Sequence, residues 1–368
     1  MTKKNSKIST NALCIILLGI FLSMRPIMEN SLQARVVGND SVITSIIACI
    51  INLLFTFLVC FCIEKNQGRS FKQILEKLLG TFVTKIILLI LAIIFFFKLL
   101  LADYQMSELL YDAIYSDINW TMFVIPIFAI FAYLSIKGIK TISRCYQILV
   151  PFGFLLLVST MIIGVKNAKF ENLLPLFDHT PSEFSKALLY LLLQSSEFIF
   201  LFTFMENVVS KSHGYYRTIL WACSLILVLF VGFYILFISI LGNIAPFVQE
   251  SLIKMTQFGS TSYSYFKIDI FTATMGIPMI ILECSLLTYG ISYCFKQIFN
   301  YEKDYTSIIV VGIIFIFKFF AQINSESVTK FYFDKIGIVV LGFIFMLPIL
   351  LVIASFKEKK DDKKYLAT

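Results

Sequence analysis

Two carboxylates stand in the middle of apolar runs. Glu197 follows Leu193-Gln194-Ser195-Ser196 and precedes Phe198-Ile199-Phe200, and Glu283 lies between Leu282 and Cys284. Lys98, Asp103 and Lys318 are set in similar company. A charge at the centre of a bilayer costs about 2.5–3.5 kcal/mol even on the most lenient scale, so each of these needs a partner or a function. A buried acid does two kinds of chemistry: it receives an ammonium group, or it binds and releases a proton. Lys98 can pair with either glutamate, which leaves the other for a ligand; a purely structural ion pair is the plainer alternative. Gln194, Ser195 and Ser196 offer neutral hydrogen bonds beside Glu197, and Gly19 and Ser23 do so in the first apolar run. Asp103 and its neighbour Tyr104 lie nearer the outer end of their run, as gate or entrance residues. Lys318 reaches outward along its own stem and reads as structural.

No enzyme constellation competes with this reading. A phosphate-binding loop, a nucleophile elbow and a zinc ligand set are all missing from the sequence. The two histidines, His179 and His213, fall in loops on opposite sides of the apolar runs, so a carboxylate must carry any coupled proton. The eight cysteines, including the Cys60-x-Cys62 pair, lie in or at the ends of apolar runs, where a thiol behaves as a small hydrophobe. Neither a cofactor nor a metal is expected.

The elements that must position these groups follow from composition. Of 368 residues, 58% are hydrophobic and only 15% charged, against about 25% charged in soluble domains. Such a chain cannot cover its own surface in water, so it is read as an all-α polytopic membrane protein. Ten apolar segments are long enough to span: 9–36, 41–63, 82–104, 119–136, 146–165, 184–208, 217–241, 269–295, 306–322 and 336–356. They are numbered here as spans 1 to 10. With residues 1–8 inside, twenty of the 31 Lys and Arg residues fall on the inner side and nine on the outer. That bias obeys the positive-inside rule and puts both termini, including the tail 357–368, in the cytoplasm. The +8 net charge is therefore a topology signal rather than a nucleic-acid surface.

Between spans 2 and 3, Ser70-Phe71-Lys72-Gln73 has the capping-box pattern, followed by Ile74, Leu75, Leu78 and Leu79 on one face and a stop at Gly80. It predicts a short amphipathic helix on the cytoplasmic membrane surface. The outer stretch 244–268 reads as a lid-like element. Ten spans divide into five plus five (9–165 and 166–356) within one domain, and each half opens with an interrupted span. Span 1 meets Met24-Arg25-Pro26 after Gly19 and Ser23; span 6 carries Gln194-Ser195-Ser196-Glu197. Interruptions at matching positions of two halves point to an inverted-repeat transporter fold with broken helices 1 and 6 and a mid-membrane site.

Four colinear segments then carry a family resemblance. They are Gly68 to Gly80 after span 2, Lys137-Gly138-Ile139 with Arg144, Asn172-Leu173-Leu174-Pro175 with Glu197 in span 6, and Lys267-Ile268-Asp269 opening span 8. Together they resemble the endospore germination permeases, the B subunits of nutrient germinant receptors, related to amino-acid permeases of the LeuT-like fold. Two departures stand out: Ser196 replaces the glycine before the glutamate, and Met275-Gly276-Ile277-Pro278 replaces an aromatic-rich segment. The resemblance implies A and C subunits as partners, a spore inner membrane location, and recognition of a germinant by this chain.

The site predicted from these residues takes a small zwitterion, an amino acid above all. Its carboxylate sits at a half-helix N-terminus, and its ammonium faces Glu197 and the carbonyls near Gly19 and Ser23. Two further readings use the same residues: a proton-coupled amino-acid permease, and a structural subunit with a vestigial site.

Overall fold

The computed structural model describes residues 7–28, 30–113, 121–209, 215–248, 251–259, 268–301, 306–320 and 325–365. Among the described residues, seven helices are long and apolar enough to cross a membrane: Ser31–Lys65, Phe71–Ser107, Ile139–Val165, Pro181–Asn207, Tyr215–Phe247, Gly276–Phe299 and Gly337–Phe356. Three shorter apolar helices, Thr10–Ser23, Ile125–Lys137 and Thr306–Phe317, occupy the positions predicted for spans 1, 4 and 9. Helix is the expected answer, because a chain in lipid must satisfy its backbone polar groups internally.

Span 1 is α1 (Thr10–Met28) followed by α2 (Asn30–Val37). The sequence placed its interruption at Met24-Arg25-Pro26. Here α1 is helical through Gly19, Ser23 and Pro26 to Met28 and α2 begins at Asn30, with Glu29 between them outside the described residues. The two pieces keep different company: α1 packs on spans 5, 7 and 8, whereas α2 packs on the outer half of span 6 and on 242–247.

Span 2 is α3 (Ser41–Lys65), and α4 (Phe71–Ala113) carries span 3. The capping box forms as its residues dictate: Ser70 N donates to Gln73 Oε1 at 3.0 Å and Gln73 N to Ser70 Oγ at 3.3 Å. Gly80, at φ +81°, ends the amphipathic turns and redirects α4. The apolar face is not laid on the membrane surface. Phe71, Ile74 and Leu75 are buried by protein, and Lys72 Nζ reaches Gln297 O at 2.9 Å and Asn300 Oδ1 at 2.6 Å. The helix is docked against the C-terminal end of span 8.

Spans 4 and 5 are α5 (Thr121–Lys137) and α6 (Ile139–Val165), joined at Gly138 with φ +83°. Span 6 begins with α7 (Pro181–Gln194), fixed at its start by Thr180 and Glu183. Thr180 N donates to Glu183 Oε2 at 2.9 Å and Glu183 N returns to Thr180 Oγ1 at 3.4 Å. After the break come a 3-10 turn at Glu197–Phe200, α8 (Leu201–Phe204) and a second 3-10 turn at Met205–Asn207. The two-residue strands β1 (Ile8–Ser9) and β2 (Val208–Val209) pair in parallel, tying the start of span 1 to the end of span 6.

Span 7 is α9 (Tyr215–Leu241). The lid-like stretch contains α10 (Ser251–Gly259), which buries Leu252, Ile253 and Met255. Spans 8 and 9 are α11 (Ile268–Phe299) and α12 (Thr306–Phe320). After α13 (Ser325–Lys330) and a π-helical turn at Phe331–Lys335 comes α14 (Gly337–Tyr365), span 10, which continues as helix into the expected tail. In the centre, α11 packs along α4 and also meets α1, α6 and the turn at 197–200. Spans 1, 3, 6 and 8 therefore converge where the two carboxylates were predicted to lie.

Candidate functional site

The break in span 6 is the organising feature. Ser195 (φ −88°, ψ 15°) and Ser196 (φ −80°, ψ 46°) leave helical geometry, and α7 ends with its last carbonyls facing the protein interior. A helix C-terminus carries partial negative charge and unsatisfied C=O groups. Lys98, rising from α4, supplies the complement: its Nζ donates to Leu193 O at 3.0 Å and Gln194 O at 3.4 Å. The sequence left open which group Lys98 pairs with. Among the described contacts its ammonium lies on backbone carbonyls, which become available because the helix breaks there.

Side chains complete the break. Asn52 of α3 donates from Nδ2 to Ser195 Oγ at 2.6 Å, and Ser195 Oγ donates to Leu191 O. Ser196 Oγ donates to Leu193 O at 2.9 Å. Gln33 of α2 donates to Gln194 Oε1, and Tyr234 of α9 donates to Gln33 Oε1 at 3.3 Å. Spans 1, 2, 3 and 7 thus each send a polar group to this point. Below it, the inner half of span 6 is too short to hold itself by helix propensity alone. Phe198, Phe200 and Phe202 stack on Phe55, Phe95 and Phe71 respectively, with ring centroids 4.7–5.7 Å apart. Gly290 of α11 lies beside the Phe95 ring: a Cβ added at 290 would come within 3.1 Å of it.

A second cluster joins span 1 to span 8. Ser23 is fully buried, and Glu283 is 7% exposed. Ser23 Oγ contacts Glu283 Oε2 and lies 2.7 Å from Ile20 O. Tyr146 of α6 lies within electrostatic range of Glu283; its hydroxyl is buried and makes no hydrogen bond among the described residues. The Tyr146 ring rests on Gly19, where a Cβ would stand 2.2 Å from Cδ1 and 2.5 Å from Cε1. Gly19 therefore provides close approach between spans 1 and 5, with Ser23 one turn further along the same helix.

The predicted site residues are thus distributed. Ser23 and Glu283 meet; Lys98, Gln194, Ser195 and Ser196 meet at the break; Gly19 supports Tyr146. The Glu197 side chain lies outside the described residues, as do those of Met24, Arg25 and Lys318. Asp103 is 1% exposed, so it faces protein and not the outer aqueous surface, and Tyr104 is half-buried beside it. Gln33, Asn52, Tyr146 and Tyr234 escaped the sequence reading, which searched spans for charges and breaks. Their signal was a single amide or phenol in an apolar run.

With this geometry in view, the comparisons are decisive for family. The spore germination protein family of permeases matches residues 7–328. The chain belongs to that family. No curated protein matches it in sequence. Among solved structures, one similar chain is Mhp1, a nucleobase-cation-symport-1 family transporter in a closed conformation with bromovinylhydantoin bound. The TM-score is 0.57 at 11% identity, over 98% of this chain and 93% of that one. That likeness is one of fold: the chain has the LeuT-like, five-plus-five transporter architecture in a multi-pass membrane protein.

The family segments have visible structural work here. Asn172 donates from Nδ2 to Ser239 O at 3.0 Å and fills the space beside Gly242, whose φ is +50°. It anchors the outer loop before span 6 to the end of span 7. Gly138 and Gly80 occupy positive-φ corners, at the joint of α5 with α6 and within α4, a conformation that glycine alone takes without cost. Lys267 lies outside the described residues.

Proposed function

We propose that this chain is the ligand-binding B subunit of a nutrient germinant receptor, which binds a small germinant at mid-membrane and helps trigger spore germination. The observation that carries the reading is the broken span 6, polar on every side and enclosed by spans 1, 2, 3 and 7, in a member of the spore germination family. An amino acid suits such a break. Its carboxylate meets the amide end of the inner half beginning at Glu197, and its ammonium meets Glu197 and polar groups of span 1. Gln194, Ser195 and Ser196 fix orientation by neutral hydrogen bonds, while Glu283 and Lys98 set the charge balance around them. Asp103 and Tyr104 lie further along α4 on the outer approach.

Signalling needs only that the ligand bind one of two conformations better than the other. A and C subunits in the spore inner membrane read that shift, and both termini of this chain face the cytoplasm. The transporter fold favours one alternative, a proton-coupled amino-acid permease that carries its substrate through the same site.

The test uses a panel of single amino acids in two assays: germination of spores carrying the intact receptor, and binding and uptake by the chain in proteoliposomes. Saturable binding without uptake, with germination lost in Glu197→Gln, supports the receptor. Uptake against a pH gradient supports the permease. Wild-type affinity and germination in Glu197→Gln would remove Glu197 from the site.

A further inference from the structure

The end of the bundle that carries the loops after spans 1, 5 and 7 has an apolar surface with no part in the site. Phe177 and Phe247 are 75% and 79% exposed, and Phe170, Leu174 and Ile244 are exposed in the same two loops, 166–180 and 242–248. The loops meet: Asn172 fills the space beside Gly242, and Lys169 N donates to Ser239 O at 2.9 Å. Scattered exposed apolar residues are ordinary, but the backbone beneath these is not. Phe177 has φ +62°, in the left-handed region, an outlier for a bulky residue. The corner between spans 1 and 2 holds it there and fastens its neighbours. Phe177 N donates to Asp40 Oδ1 at 2.6 Å, Asn39 Nδ2 to Leu174 O at 3.1 Å and Arg35 Nε to Pro246 O at 2.7 Å. Asp40 is itself 1% exposed. A strained residue and a buried carboxylate thus hold an aromatic ring away from the protein, which is unfavourable in water and favourable where the ring meets an apolar phase.

We propose that this surface is a lipid anchor, immersed at the headgroup–acyl boundary of the leaflet at this end of the bundle. Its continuity with the lipid-facing surface favours lipid over a protein partner. Ile162 and Val165 are exposed on the last turn of α6, a membrane-spanning helix. From there the chain passes directly through the exposed Lys166 and Lys169 to Phe170. Ile244 and Phe247 follow the end of α9 in the same way. Aromatic rings with lysines beside them, at the ends of spanning helices, settle at a membrane–water interface: the rings enter the boundary and the ammonium groups stay with the phosphates. Rings this open project outward, and a fluid interface receives them without a matching shape.

The anchor bears on the broken helix. Phe177 stands three residues before Thr180, whose side chain caps α7, and α7 ends at the break. The seating of that half of span 6 is therefore tied to the leaflet around it, through Phe177 and the Asp40 bond. The assignment does not depend on what the break binds, or on whether the chain senses or transports it.

The test is fluorescence quenching of the full chain in lipid nanodiscs. The chain's two tryptophans are Trp120 and Trp221. In a Trp120→Phe, Trp221→Phe background, Phe177→Trp and Phe247→Trp each place a single probe on the surface. The quenchers are phosphatidylcholine brominated near the headgroup end of its acyl chains, and iodide in the buffer. Both probes are expected to lose fluorescence in the brominated lipid and to resist iodide. Trp221 alone, exposed on α9, is the positive control for lipid contact. Quenching of either probe by iodide and not by lipid overturns the proposal, because the ring then lies in water. Protection from both quenchers overturns it too, because protein then covers the ring. Asp40→Ala is expected to lower lipid quenching of the 177 probe and leave the 247 probe unchanged; equal quenching at 177 overturns the tie to Asp40. Should the background fail to fold, the same probes are read as differences from the wild-type chain.

Discussion

Replacing Gly19 with alanine tests the packing on which the span 1 cluster depends. The added Cβ would stand 2.2 Å and 2.5 Å from two carbons of the Tyr146 ring and 2.9 Å from Val150 Cγ2. Tyr146 has no exposure and is among the largest fully enclosed side chains, so its ring cannot swing clear without moving α6 from α1. Overpacking of this kind costs about 1–3 kcal/mol. Tyr146→Ala alone removes a buried aromatic ring and costs about 3–5 kcal/mol. In that background the clash with the ring is gone and only the approach to Val150 Cγ2 at 2.9 Å remains, while alanine gains about 0.5–1 kcal/mol over glycine within a helix. Gly19→Ala should therefore be destabilising in the wild type and near neutral beside Tyr146→Ala, with a coupling energy of about 1–3 kcal/mol, because the helix contribution is common to both backgrounds and cancels. Reversible unfolding of the four proteins in detergent micelles measures the cycle. Equal effects of Gly19→Ala in both backgrounds, or no effect in the wild type, would refute the packing argument.

Two other substitutions probe the ends of the broken helices. Lys98→Met strips the ammonium from the Leu193 and Gln194 carbonyls; a hydrogen bond to a charged group is worth about 1.5–3 kcal/mol, so affinity for the germinant should fall roughly 10–100-fold. Equilibrium binding to the chain in nanodiscs checks this, and unchanged affinity would show that the break does not need the charge. Asp40, 1% exposed, accepts from Phe177 N at 2.6 Å and from His179 Nδ1 at 3.1 Å, joining the corner before α3 to the outer loop before α7. Asp40→Ala leaves that amide without its acceptor, at about 1–3 kcal/mol, and limited proteolysis within 166–180 should accelerate; an unaltered cleavage pattern would argue against the tie.

Local signals were read correctly where the physics is local. Ser70 and Gln73 cap one another because both partners lie within one turn, so the pattern implies the bonds. Gly80 marks a corner because positive φ is costly for every residue but glycine. The interruption of span 6 was legible because Gln194-Ser195-Ser196-Glu197 is polar where lipid demands apolar helix. At span 1 the local pattern says less: Arg25-Pro26 looks like a stop, yet α1 is helical to Met28, and Glu29, after which α2 begins, lies outside the described residues. The amphipathic turns at 71–79 present an apolar face in either setting, and periodicity cannot say whether lipid or protein covers it.

By itself, then, the sequence determined that this is a multi-pass membrane protein of apolar helices, and where span 6 breaks. Those follow from hydropathy and from the cost of burying charge, both summed along the chain. Only the tertiary structure decided the partners. Lys98 meets carbonyls nearly a hundred residues away, Asn52 and Gln33 reach the same break from spans 2 and 1, and Ser23 meets Glu283 across 260 residues. Those pairings depend on which helix faces pack together, and hydropathy is nearly blind to that in a bundle apolar on all sides.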